Sequence, residues 1–266
     1  MLTTGHAGNR TSSSEKENNS YINFIYPVSK KLSSIEANSM VAIKGMGLTF
    51  IDAALALTEG RGGSFVGKAV EMRYIKHGNE PQLIYPYSRS GAFMIPRVGE
   101  MPCSPSLRFF TAEIVQKLKK NDSYKFNFTE ELLPLIKKEF TYRYYKLAFK
   151  NVGEKLNDSL AFDEMKAQIE AFHLNHPTEI KFSFEELKDP FLDSEKYNSS
   201  IVSQYLKQIL AQVSLGNKSP LLAAISAWHD ISPIFNELYS FGGLTPTSHQ
   251  IFDNEYAPFF NRISYG

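Results

Sequence analysis

Residues 41–63 read VAIKGMGLTFIDAALALTEGRGG. An apolar run, Val41 to Ile43, meets Gly45-Met46-Gly47, and an apolar-rich helical pattern follows. In a strand–turn–helix of this kind the first glycine permits a tight turn and the second lets the backbone come close to a pyrophosphate. The helix N-terminus then offers N–H groups with partial positive charge. Gly45 and Gly47 occupy the two glycine places. The third place, where Gly or Ala would let helix and strand pack closely, holds Phe50. Spacing alone leaves two readings open: a nucleotide-binding turn and an ordinary tight βα turn.

On either side the pattern is α/β. MVAIKG, residues 40–45, suits a short buried strand, and the spacing of Leu48, Ile51 and Leu55 predicts a helix from Gly47 to about Thr58. The glycines of TEGRGG close it, and Arg61 between them leaves a cofactor loop and a plain helix cap both open. Ala69–Lys76 and Gln82–Ser88 alternate as strands, with a turn between them. In a dinucleotide fold the second strand ends beside the adenosine ribose, where an acid favours NAD and a basic or hydroxyl residue suits the 2′-phosphate of NADP. Here that strand ends in Ser88-Arg89-Ser90-Gly91 with no carboxylate beside it. The planar fork of Arg89 suits phosphate, and a solvated surface arginine is the alternative. The interval from Gly47 to Ser88 exceeds the usual ~20 residues, which an inserted hairpin at Ser64–Lys76 explains.

From Ser104 onward the chain reads as mainly helical. Ser104-Pro105 opens a helix to about Lys120, and Asn127 with Glu130 forms a capping box. Leu132, Ile136, Phe140, Tyr144 and Leu147 then mark a helix whose first turn contains Pro134. Further helices are read at 163–172, at 202–213 before Gly216, and from Ser219-Pro220 through Trp228. The mixed basic and aromatic stretch Glu139–Lys150 reads as a core face with a solvated basic edge. His173 and His176 lack accompanying ligands, so no metal is expected. His229 and Asp230 are adjacent and do not face each other on a helix.

Composition narrows the function classes. Among 266 residues, 42% are hydrophobic and 21% charged, as in a folded protein. A net charge of +1 gives no global pull toward nucleic acid or anionic membrane. The single cysteine, Cys103, excludes an intrachain disulfide and has no base beside it. No apolar run reaches the ~18–20 residues of a membrane span, and the N-terminus lacks a signal pattern. A cytoplasmic location is expected. Residues 7–20, rich in Gly, Ser, Asn, Glu and Lys, read as a linker. The glycosylation-like triplets at Asn18 and Asn127 read as chance.

The longer stretch VAIKGMGLTFIDAALALTEGRGGSF, followed by LIYPYSRSG, resembles bacterial FAD/NAD(P)-binding proteins typified by GxGLTxxDxxLALTEGRGG. Those proteins are similar in plan to two-dinucleotide-domain flavoenzymes such as N-monooxygenases, in which an NAD(P) domain is inserted in an FAD domain. LTTGH, residues 2–6, resembles the ATGH segment near the end of the FAD domain, and residues 26–35 resemble the crossover into the NAD(P) domain. The closing stretch 242–266 resembles the part before the chain returns to the FAD domain. A complete member begins with a separate glycine-rich FAD fingerprint, which has no counterpart here, so the chain resembles an internal piece.

The resemblance implies an α/β, Rossmann-like NAD(P)-binding domain with a mainly α-helical second region. Its divisions are 1–39 (FAD-domain edge and linker), 40–103 (NAD(P)-binding part) and 104–266 (helical region). Gly45, Gly47, Leu48 and Thr49 would hold the pyrophosphate, and Ser88 and Arg89 the adenosine 2′-phosphate, the coenzyme being NADP (or NAD). Thr4, Gly5 and His6 would touch FAD only if a second chain supplies the missing half. The implied function is hydride passage from NADPH to FAD in an oxidoreductase or monooxygenase. No side chain stands out as the catalytic acid or base. The rival readings are a non-catalytic nucleotide-binding or interaction module and a flavin-free dehydrogenase. Neither nucleic acid nor membrane is an expected partner.

Overall fold

The computed structural model describes residues 21–67, 71–99, 102, 105–191 and 198–264. Thr4, Gly5, His6, Asn18 and Cys103 lie outside the described residues. The chain divides into two compact units. The first comprises residues 1–45, 49–66 and 73–86, and the second residues 46–48, 67–72 and 87–266.

In the first unit, strand β1 (Met40–Lys44) pairs with β4 (Leu83–Tyr87). The two run parallel, led in by the bonds from Asn38 N–H to Glu80 O (3.1 Å) and from Gln82 N–H to Ser39 O (2.9 Å). Helix α2 (Leu48–Leu57) follows β1. Its residues Ala53 and Leu57 are buried with Leu32, and half-buried Val41, Ile43 and Ile84 pack against them from the sheet. The short helix α1 (Val28–Lys31) contributes Val28 to the same cluster. The helix predicted from residue 47 is therefore present, but Leu48, Ile51 and Leu55, which define its spacing, are exposed. The packed face is the alanine-rich one.

The inserted hairpin is also present. Strand β2 (Ser64–Val66) pairs antiparallel with β3 (Arg73–Ile75), with Phe65 opposite Tyr74 and their rings 5.0 Å apart. The α/β class thus holds. Among the described residues the parallel sheet has two strands.

The second unit is helical. Its elements are α3 (Ala112–Leu118), α4 (Leu133–Asn151), α5 (Phe162–Asn175), α6 (Phe184–Lys188), α7 (Ser199–Ser214), α8 (Pro220–Ser240), α9 (Pro246–Ile251) and α10 (Ala257–Ser264). The central pair is α4 and α8. Trp228 of α8 stacks on Phe260 of α10 with ring centres 3.6 Å apart and planes 9° from parallel. Phe128, Phe235 and Phe252 extend this aromatic core. No helix among the described residues is long and apolar enough to cross a membrane.

Two helix starts differ from the sequence reading. The helix predicted from Ser104 begins only at Ala112, where the Thr111 hydroxyl caps the Ile114 amide. The preceding amides of Arg108, Phe109 and Phe110 donate instead to Glu139 Oε2, at 2.9, 2.6 and 3.3 Å. A distant carboxylate has drawn these donors away from local helix formation. At the second start Asn127 caps Thr129 and Glu130, as predicted, but the reciprocal carboxylate is Glu131, at 2.7 Å from Asn127 N. Residues 128–132 form a wide π turn, which moves the partner on by one residue. The same turn places Pro134 in the first turn of α4, where its missing N–H costs nothing.

The basic edge of Glu139–Lys150 is expected to be solvated, yet the side chain of Arg143, and with it that of Glu139, is fully buried. Arg143 Nε lies 3.7 Å from Glu139 Oε1, and its Nη2 donates to Pro105 O (3.0 Å) and to Asp230 Oδ2 (2.6 Å). The carboxylate and guanidinium thus tie the 105–110 segment, α4 and α8 together. Removing one partner of a buried pair leaves the other charge and its donors unmatched. Glu139→Ala is expected to lower unfolding stability by roughly 3–5 kcal/mol, measured by urea denaturation. A loss below about 1 kcal/mol would contradict this account.

Candidate functional site

The turn between β1 and α2 is open where a ligand backbone would need it to be. Gly45 has φ +99°, a left-handed conformation that glycine adopts without strain, and a Cβ built there meets nothing within 4 Å. A Cβ at Gly47 would meet only Met94 Sδ at 3.9 Å. Packing therefore does not demand glycine at 47, so its absent side chain leaves the approach to the helix start clear. Leu48 and Thr49, the first residues of α2, are exposed, and the first turn holds no acidic residue. The initial amides of any helix lack intrahelical acceptors and carry partial positive charge. The nearest acid in sequence, Asp52, accepts the hydroxyl proton of Tyr26. That bond, more than any other influence, raises the Tyr26 pKa above its ordinary value, while a hydrogen bond from Thr49 opposes it.

The glycine-rich end of α2 resolves the choice between cofactor loop and cap. Arg61 sits in a 3-10 turn, Glu59–Arg61, and donates to Leu32 O (2.9 Å), Ile35 O (2.7 Å) and Asn79 O (3.1 Å). The guanidinium clamps three backbone carbonyls. Gly62 has φ +99° and terminates the turn. Gly63 is required by close approach, since a Cβ there would lie 1.8 Å from Tyr74 Oη. That hydroxyl donates to Glu80 Oε1 (2.6 Å), and the same carboxylate accepts the amides of His77 and Gly78, each at 2.7 Å. The His77 amide first, and the Tyr74 hydroxyl next, hold the Glu80 carboxyl down to about 2 from 4.5. Sequence reading saw 76–81 only as a turn. A lone Glu between Asn and Pro carries no visible sign of this role.

Because the folded-state pKa of Glu80 lies below its unfolded value, its contribution to stability is complete above about pH 4.5 and is lost as pH falls toward about 2. Acid unfolding of the wild type should show this dependence, and Glu80→Gln should flatten it. Arg61→Ala is expected to destabilise the first unit by roughly 2–4 kcal/mol, since three carbonyls lose a charged donor. Hydrogen exchange at residues 32–35 and 79 would report it as faster local opening.

The predicted 2′-phosphate residues follow β4, in the second unit. Ser88 Oγ accepts the Gly91 amide at 3.1 Å and lies 3.4 Å from Ser90 Oγ, so the SRSG segment is a tight hydroxyl-stabilised turn. Gly91, with φ +66°, completes it. Arg89 is exposed at its tip, and its guanidinium has no hydrogen-bond or ion-pair partner among the described residues.

Other sequence candidates have structural work. His173 Nε2 meets Tyr145 Oη at 2.8 Å, while His176 Nε2 meets Glu154 Oε1 at 2.7 Å, so the two imidazoles face different partners. No cluster of metal-ligating side chains occurs among the described residues. Asp230 pairs with Arg143, not with its neighbour His229. The Asn127 side chain is engaged as a helix cap.

With this geometry in place, comparison with known proteins gives two relatives. Over 261 aligned residues covering 90% of the chain, it is 26% identical to nitrosuccinic acid synthase npaA of Aspergillus oryzae. It is also 26% identical, over the same share, to an L-aspartate N-monooxygenase (nitrosuccinate-forming) of Streptomyces davaonensis. The chain spans about two-fifths of the length of these curated relatives (39% and 40%). No protein-family profile matches it.

Proposed function

We propose that the chain is the NAD(P)-binding portion of a flavin-dependent monooxygenase. The observation that carries this reading is the open turn at Gly45 and Gly47, set against the acid-free first turn of a ten-residue helix. The fit to a pyrophosphate is one of shape and charge. Two positions leave the backbone bare, and the helix N-terminus supplies the positive end of the dipole. In this reading Gly45, Gly47, Leu48 and Thr49 hold the pyrophosphate through backbone amides, and the Thr49 hydroxyl is shared with Tyr26.

Ser88 shapes the turn that presents Arg89, and the Arg89 fork takes the 2′-phosphate of NADPH. NADPH held by these residues would supply hydride-transfer chemistry, with FAD as the acceptor only where the FAD-binding half is supplied. This chain's residues bind and orient; none is assigned as an acid or base. The kinship with an enzyme named as an L-aspartate N-monooxygenase supports oxygen insertion at an amine nitrogen as the reaction class.

Calorimetric titration of the purified chain with NADPH and NADH tests the reading. Arg89→Ala should weaken NADPH binding by about 10- to 100-fold, the worth of one charge-assisted phosphate contact, and leave NADH nearly unchanged. Equal losses for both coenzymes would defeat the 2′-phosphate role. Absence of heat with either coenzyme would favour a non-catalytic interaction module.

A further inference from the structure

The helical unit carries a groove that the coenzyme reading does not use. About 480 Å³ of space lies between α4, α5 and the segment that enters α6. Sites for small organic molecules have volumes of roughly 300–1,000 Å³ and are lined mainly by apolar and aromatic side chains, with a few convergent polar groups. This groove has that make-up. Its apolar surface comes from Tyr145 of α4, Phe162 and Ile169 of α5, and Phe182 and Phe184. Two of these rings are fixed by other parts of the unit. Tyr145 Oη meets His173 Nε2 at 2.8 Å and accepts the Phe182 amide at 3.1 Å. The Phe182 ring stacks on Tyr144 with centres 4.9 Å apart. These aromatic walls are set before any ligand arrives, which lowers the cost of ordering them on binding.

The charges around the groove are uneven. Three lysines line it, Lys137 and Lys138 of α4 and Lys166 of α5. Lys137 pairs with Glu185, and Lys166 with Asp163 at 3.1 Å. Lys138 is half-buried and has no carboxylate partner among the described residues. Its Nζ stands over the Phe162 ring at 5.4 Å, and Lys166 Nζ stands over the same ring at 5.3 Å. Two ammonium groups on one ring repel each other. The Asp163 side chain that pairs with Lys166 is 91% exposed, so its solvent-screened charge offsets little of this. An anion seated beside Phe162 relieves the repulsion and gives Lys138 the partner it lacks. At the other end, Glu170 lies one turn along α5 from Lys166 and is unpaired among the described residues. It opposes a second negative charge there.

We infer that this groove binds a small organic anion of single negative charge with an aromatic body, an arene carboxylate or sulfonate. Its acid group lies between Lys138 and Lys166, and its rings lie along Phe162, Ile169 and Tyr145. All of these residues belong to the second unit, and the inference does not depend on the coenzyme reading.

The test is fluorescence titration of the purified full chain with anilinonaphthalene sulfonate, an aromatic monoanion. The expected result is a single saturable site from which naphthoate displaces the probe. Lys138→Glu should weaken binding by about 10-fold or more, since a charge-assisted contact is replaced by a repulsion. Lys138→Arg should retain it, and Lys150→Glu, exposed on the same helix outside the groove, should leave it unchanged. Phenylnaphthylamine, which has the same rings without the acid, should bind at least about 10-fold more weakly. Circular dichroism and the unfolding midpoint of each variant are compared with wild type, and Lys166→Glu replaces Lys138→Glu if the latter fails to fold. Absence of a saturable site, equal binding of the uncharged probe, or equal losses from Lys138→Glu and Lys150→Glu would each overturn the inference.

Discussion

Arg61 is the constraint on which the first unit depends. A single guanidinium holds the carbonyls of Leu32, Ile35 and Asn79, so it binds the approach to β1, the end of α2 and the approach to β4 to one point. Glu80 completes the arrangement from the other side by gathering Tyr74, His77 and Gly78. The run TEGRGG is thus an anchor with charged reach, and its glycines admit the ring of Tyr74 and the left-handed turn. Fixing the C-terminal end of α2 in this way leaves at its N-terminal end a turn whose Gly45 and Gly47 would give an added Cβ no neighbour closer than 3.9 Å. Anchoring one end of a helix and opening the other is what a rigid anion site needs.

The helical unit uses the same physics in its core. Glu139 accepts three backbone amides and approaches Arg143, which reaches Pro105 and Asp230. Buried charges are tolerated when they are paired and hydrogen-bonded; here backbone amides satisfy Glu139 Oε2, while Glu139 Oε1 and Arg143 Nε face each other at 3.7 Å without a hydrogen bond. The arrangement orders a non-helical segment, 105–110, against two long helices. Around it the stacked pair Trp228 and Phe260 and the phenylalanines at 128, 235 and 252 supply apolar burial.

How far the fold was legible follows from which interactions are local. β1, α2, the 64–75 hairpin and β4 were readable because alternation, helical spacing and glycine placement act over a few residues. The Asn127 and Ser219 caps were readable for the same reason. The false helix start at Ser104 came from a long-range competitor, Glu139, that no window around residue 104 contains. Burial of Glu139 and Arg143 was hidden because an isolated charge reads as solvated, and only an i,i+4 Glu–Arg pair inside an aromatic face hinted otherwise. Of the candidate site, the strand–turn–helix at Gly45 and Gly47 was legible, whereas the space around the two glycines depends on tertiary packing that spacing does not encode. The role of Arg61 was not legible, since a guanidinium flanked by glycines suits a ligand and a backbone clamp equally well. Nor did helical periodicity indicate which side of α2 packs, because Ala53 and Leu57, not Leu48, Ile51 and Leu55, are buried against the sheet.

The open glycine turn and the two relatives at 26% identity meet in one proposal, a coenzyme site at the start of α2. Its central claim is that the amides of the Gly45–Thr49 turn take a pyrophosphate. Backbone amide NMR of the full chain during titration with NADPH measures this directly. The account predicts that the Gly47, Leu48 and Thr49 amide resonances move together and saturate, with a smaller change at Gly45. If those four resonances stay fixed while others shift, or if none moves at saturating coenzyme, the claim is contradicted.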